Sequence, residues 1–129
     1  MKRINILLFT ALLGMTLFAA CDKVTADEDA LVGRWWYEEY VGMPIIVTLN
    51  ADGTGTWYTG PGCFGESHTA QINWWLSSKG SKVYFGAEQS DPTIEWKLRE
   101  VTDNSLVVDE RLRTDGKWSQ SVSRTYRGR

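Results

Sequence analysis

The chain is poor in the residues that most often build reactive sites. It has two cysteines (Cys21 and Cys63), one histidine (His68) and three prolines in 129 residues. Cys63, Glu66 and His68 lie close together, but their spacing matches no strong zinc pattern and no fourth ligand stands near, so no metal is expected. The same Cys–His proximity lacks the orienting acid that an activated thiol needs. Gly60-Pro61-Gly62 is followed by neither the lysine nor the helix of a phosphate loop. Glu38-Glu39 and Asp109-Glu110 are adjacent carboxylates, so in a strand each pair straddles the sheet instead of acting side by side. One member of each then faces inward near a barrel end, where solvation at the rim is expected. A net charge of −2 without a basic run argues against nucleic acid as partner. These absences point away from an enzyme and from any cofactor.

The one long apolar run is at the start. Lys2 and Arg3 precede an apolar stretch from Ile6 to Met15, too short for a spanning helix and suited to a leader. Ala19-Ala20-Cys21 follows and resembles the lipobox of bacterial lipoproteins, with Phe18 where Leu is commonest. The resemblance implies cleavage after residue 20 and a diacylglycerol on the Cys21 thiol. Two acyl chains suffice for stable attachment to a bilayer. The implied location is the bacterial cell envelope: outer membrane, periplasmic or surface-exposed. Loss of Lys2 and Arg3 takes the basic count from 14 to 12 against 16 acidic residues, a net charge of −4. Residues 21–30, polar and acidic, read as a flexible linker, and 31–129 as one domain without an internal disulfide.

Seven Trp, five Tyr and four Phe supply the core of that domain. From Leu31 onward, strand and turn signals recur every eight to twelve residues, the rhythm of a sandwich or barrel. Candidate strands are 33–41, 44–49, 54–59, 68–77, 82–88, 93–99, 105–113 and 117–127. In Thr93–Arg99, Ile94, Trp96 and Leu98 alternate strictly with Glu95, Lys97 and Arg99, which buries one face. Asn50-Ala51-Asp52-Gly53 and Thr114-Asp115-Gly116 read as tight turns. Eight strands with short links make an antiparallel up-and-down β-barrel, whose closure removes both free edges. An open sandwich is the competing architecture.

Gly33-Arg34-Trp35 at the head of the first strand resembles the Gly-x-Trp of lipocalins, and Thr102-Asp103-Asn104 falls where that family has a Thr-Asp turn. The pattern over residues 31–127 resembles short lipocalin-like lipoproteins, mostly of unknown function. That likeness implies a Trp35 packed across the closed end under a basic residue of the last strand, Arg124 or Arg127, and a small apolar ligand at the open mouth near loop 60–67. Trp57, Tyr58, Phe64, Trp74 and Trp96 are the candidate ligand contacts. The expected inward set runs from Val47, Leu49, Ile72, Trp74 and Leu76 through Val83, Phe85, Ile94, Trp96 and Leu98. It continues with Leu106, Val108, Trp118, Val122 and Tyr126. So many large side chains leave room for at most a shallow pocket at one mouth.

Trp35-Trp36 and Trp74-Trp75 carry a second expectation. Neighbours in a strand point to opposite faces, so one Trp of each pair must look outward, and Trp57 or Tyr58 behaves likewise. Outward aromatics either pair across strands or form a patch for a glycan or protein partner, with Trp35 and Trp75 the residues to test.

Overall fold

A computed structural model describes residues 24–61 and 65–128. The segment expected to be a leader, Cys21 where lipid is expected, Cys63 and Phe64 lie outside the described residues. After a helical turn α1 (Glu28–Leu31) come β1 (Gly33–Tyr40), β2 (Met43–Leu49), β3 (Thr54–Thr59), β4 (His68–Leu76) and β5 (Lys82–Gly86). β6 (Ile94–Val101), β7 (Ser105–Thr114), β8 (Lys117–Trp118) and β9 (Val122–Gly128) complete the domain. From β1 to β8 successive strands pair antiparallel, and β9, which does not pair with β8, joins β1 to β7. The result is a closed eight-stranded barrel, with β8 as an extra strand on the edge of β7.

The meander sorts the connections by end. α1 and the turns 50–53, 77–81 and 102–104 lie at one end, and 41–42, 60–61, 65–67, 87–93 and 115–121 at the other, the mouth. The first end is plugged. Leu31 is fully buried, and the Trp35 indole N–H donates to its carbonyl at 2.9 Å. Trp74 donates to the Asn50 carbonyl at 2.9 Å, tying the β2–β3 turn to the core. Gly53 in that turn takes φ +87°, and Asp52 accepts from both the amide and the hydroxyl of Thr54. The acidic segment before the barrel is not a free linker along its whole length. Val24 and Ala26 pack against the core, Ala26 N–H donates to Gly80 O at 2.9 Å, and Asp27 caps the helical turn. Its apolar residues alternate in an extended stretch, so one side can dock while the acidic side chains stay in solvent.

One strand differs from expectation in a way that changes a face. The stretch 117–127 is broken at residues 119–121. Trp118 pairs with Arg113 and Val122 with Glu110, so residues 111–112 on β7 oppose residues 119–121. That one-residue bulge reverses parity, and Trp118 falls on the outside instead of sharing a face with Tyr126. Val122, at the mouth, is half exposed.

Candidate functional site

The interior is filled by interlocking rings. Phe85 and Trp96 stand edge to face at 4.5 Å, Trp96 and Tyr126 lie 4.8 Å apart, and Tyr126 meets Tyr37 edge-on at 4.9 Å. Trp57 closes the chain against Phe85 at 5.7 Å and Trp96 at 6.0 Å. Trp57, Trp74 and Trp96 are therefore parts of the packed core, while Tyr58 faces outward from β3. The sequence alone leaves Trp57 and Tyr58 interchangeable. Gly55, buried on the same side as Trp57, settles it: a Cβ there would collide with the Thr48 carbonyl.

Toward the mouth the core becomes polar. Glu110 accepts from the Trp96 indole at 3.0 Å and the Tyr126 hydroxyl at 2.9 Å. Arg124 Nη1 donates to Glu39 Oε2 at 2.9 Å, and the Tyr37 hydroxyl donates to the same oxygen at 2.6 Å. Glu39 and Glu110 are thus the inward members of their pairs, held by partners instead of by solvent at the rim. Arg124 Nε is buried without a hydrogen bond and faces Glu110 Oε1 at 4.0 Å, within ion-pair reach. The guanidinium lies over the Tyr37 ring at 5.2 Å, not across Trp35 at the closed end, and Arg127 points outward beside Trp36. Burial, and after it the charge of Glu110, push the Tyr126 phenol far above its ordinary pKa; burial and the bond to Glu39 do the same to Tyr37. Two carboxylates already neutralise Arg124, so this cluster reads as a buried structural network.

The outer surface divides into two walls. Over β4–β7 the outward aromatics and several of the charges pair with one another. Trp75 stacks on Tyr84 at 6.1 Å, and Glu95 receives a bidentate pair from Arg111 at 2.8 and 2.9 Å. Arg111 in turn lies over the Trp118 ring at 4.6 Å. Burial and the neighbouring Glu95 raise the Tyr84 pKa, and the bond to Glu95 raises that of Arg111.

Over β9, β1, β2 and β3 the wall is open. One rung of cross-strand partners runs Arg127, Trp36, Ile46, Tyr58 and Thr69. The next runs Arg34, Thr48, Thr56 and Gln71. Trp36 is 39% exposed, whereas Trp35 is fully buried. Grooves of about 390, 500 and 620 Å³ lie on this wall. Trp36 lines the first two, Tyr58 the third, and Arg34 with Ile46 links the first to the third. The Trp36 ring edge lies over Gly128, where a Cβ would come within 3.2 Å of it and 2.5 Å of the Arg34 carbonyl. The missing side chain lets β9 approach β1 and keeps the groove open. Among the described residues Arg99, Arg111, Arg113 and Arg124 each face a carboxylate, and Arg34 and Arg127 face none.

His68 stands exposed at the start of β4, 4.0 Å from Glu66. No group of three or more metal-ligating side chains gathers among the described residues. The sequence missed Trp36 and Arg34 as a unit, because only register shows that Arg34 shares one groove with Trp36 and the next with Tyr58. Compared with family models, curated proteins and solved structures, the chain matches none.

Proposed function

We propose that the protein is a non-enzymatic binding module of the bacterial cell envelope, attached to a bilayer through lipid on Cys21, which takes carbohydrate on the open outer wall. The observation that carries this reading is the contrast between the two walls. Trp75 has its ring partner and Trp118 its arginines, while Trp36 and Tyr58 line open grooves, that of Tyr58 edged by the hydroxyls of Thr48, Thr56 and Thr69. A pyranose ring has a face of C–H bonds that the negative face of an aromatic attracts, and hydroxyls that Thr48, Thr56 and Thr69 can meet. Trp36 and Tyr58 share a rung two strands apart, about 9–10 Å between backbones, so an extended oligosaccharide meets them at different residues.

The competing reading, a small apolar ligand inside the barrel, has one observation in its favour. Among the described residues the mouth half of β4 pairs only with β3, because its pairing with β5 begins at Asn73–Gly86. Ala70 is left exposed beside half-buried Trp57. The rings behind Trp57 nonetheless pack against one another at 4.5–6.0 Å, which weighs against a ligand there.

Affinity electrophoresis of the full-length protein in mild detergent, through gels cast with different polysaccharides, tests the reading. At least one polysaccharide retards the protein, W36A abolishes the retardation and W75A leaves it. Retardation by none, together with saturable binding of N-phenylnaphthylamine that W57A removes, overturns it in favour of the interior.

A further inference from the structure

Resting on the outer-wall reading, we infer that the glycan is acidic, and that Arg34, along the strand from Trp36, and Arg127, across the sheet from it, bind uronic-acid carboxylates next to the sugar stacked on Trp36. Net charge is −2, and Arg99, Arg111, Arg113 and Arg124 are each matched with a carboxylate. The two described arginines without one flank the same tryptophan. Arg127 is the register partner of Trp36 on β9, about 4.8 Å away across the sheet. Arg34 precedes Trp36 by two residues on β1, hence on the same face and about 6.8 Å along the strand. Both side chains line grooves that Trp36 lines too.

A guanidinium in this position offers a planar fork of donors that a carboxylate meets with two parallel bonds. The charge is also polarised along the wall. Glu38, two residues beyond Trp36 toward the mouth, lines the groove that holds Arg127 and Thr125, so negative charge sits at its mouth side. An acidic sugar therefore finds its favourable position on the closed-end side of Trp36, where Arg34 lies. A neutral glycan could stack on Trp36 equally well and would leave both arginines unused. That difference defines the test.

Polygalacturonate and its fully methyl-esterified form share one backbone and differ in whether each carboxyl is a charged carboxylate or a neutral methyl ester. Titrated with the full-length protein in mild detergent, the free acid binds roughly tenfold or more tightly than the ester, and added salt narrows the gap. R34Q/R127Q removes the preference for the acid while keeping the weaker binding of the ester and an unchanged melting temperature. Equal affinity for acid and ester overturns the acidic assignment and leaves the carbohydrate reading standing. So does binding confined to neutral polymers such as cello-oligosaccharides. Binding of no glycan, neutral or acidic, overturns both.

Discussion

Replacing Glu110 separates a structural network from a binding site. Glu110 is 8% exposed and accepts from two side chains that are fully buried, Trp96 and Tyr126. E110L strands both donors, each costing about 1–3 kcal/mol, and the apolar burial of Leu offsets about 1–2 kcal/mol of that. The net loss is about 3 kcal/mol, which for a domain of this size lowers the melting temperature by roughly 12–24 °C. E110Q keeps an acceptor in the same place and loses only the charge, so its cost is about 1 kcal/mol. Tryptophan fluorescence during urea unfolding of both variants measures the difference. E110L within about 0.5 kcal/mol of the parent, or E110Q no better than E110L, would refute the reasoning. Retardation by polysaccharide should be the same for E110Q as for the parent, because the cluster sits inside the barrel.

Further outcomes follow from other parts of the barrel. G55A drives a methyl into the Thr48 carbonyl between β2 and β3 and should cost about 2–3 kcal/mol in urea unfolding; G42A meets no atom and should cost only the strain of its φ of +78°, about 1 kcal/mol. R111A leaves Glu95, 5% exposed, with Lys82 at 3.9 Å and the Tyr84 hydroxyl but without its bidentate partner; the loss should be about 2 kcal/mol, and adding E95Q should recover part of it. Tyr37 and Tyr126 have folded pKa values above the ordinary phenol value of 10.0, so their contribution is complete below that pH and is lost as pH rises beyond it. Alkaline unfolding should thus set in above pH 10.0 with release of tyrosinate absorbance, and Y126F should flatten the dependence.

Legibility in the sequence tracked how local the determining physics is. β6 was readable because Ile94, Trp96 and Leu98 alternate with charges, and that parity places them on the core side. The turn at Asn50–Gly53 was readable because Asp52 and Gly53 carry its chemistry in their own side chain and backbone. Trp118 was misplaced because a one-residue bulge with no Gly or Pro to mark it reverses the face. Glu39, Glu110 and Arg124 come from three strands far apart in the chain; parity put the carboxylates inside, but nothing local named their partners. The open wall was half legible. That one member of Trp35-Trp36 must point outward follows from the pleat, but which one depends on the register of β1 with β2 and β9.

The claim that the ligand lies on the outer wall and not within the barrel is tested most directly by the indole N–H resonances of the seven tryptophans. The experiment is a titration of isotope-labelled full-length protein in micelles with an oligogalacturonide. Trp35, Trp74 and Trp96 donate to Leu31, Asn50 and Glu110, so their signals should exchange slowly and stay in place. The Trp36 signal should shift in proportion to occupancy. Movement of Trp57 and Trp96 with Trp36 unchanged would put the ligand inside and contradict the account.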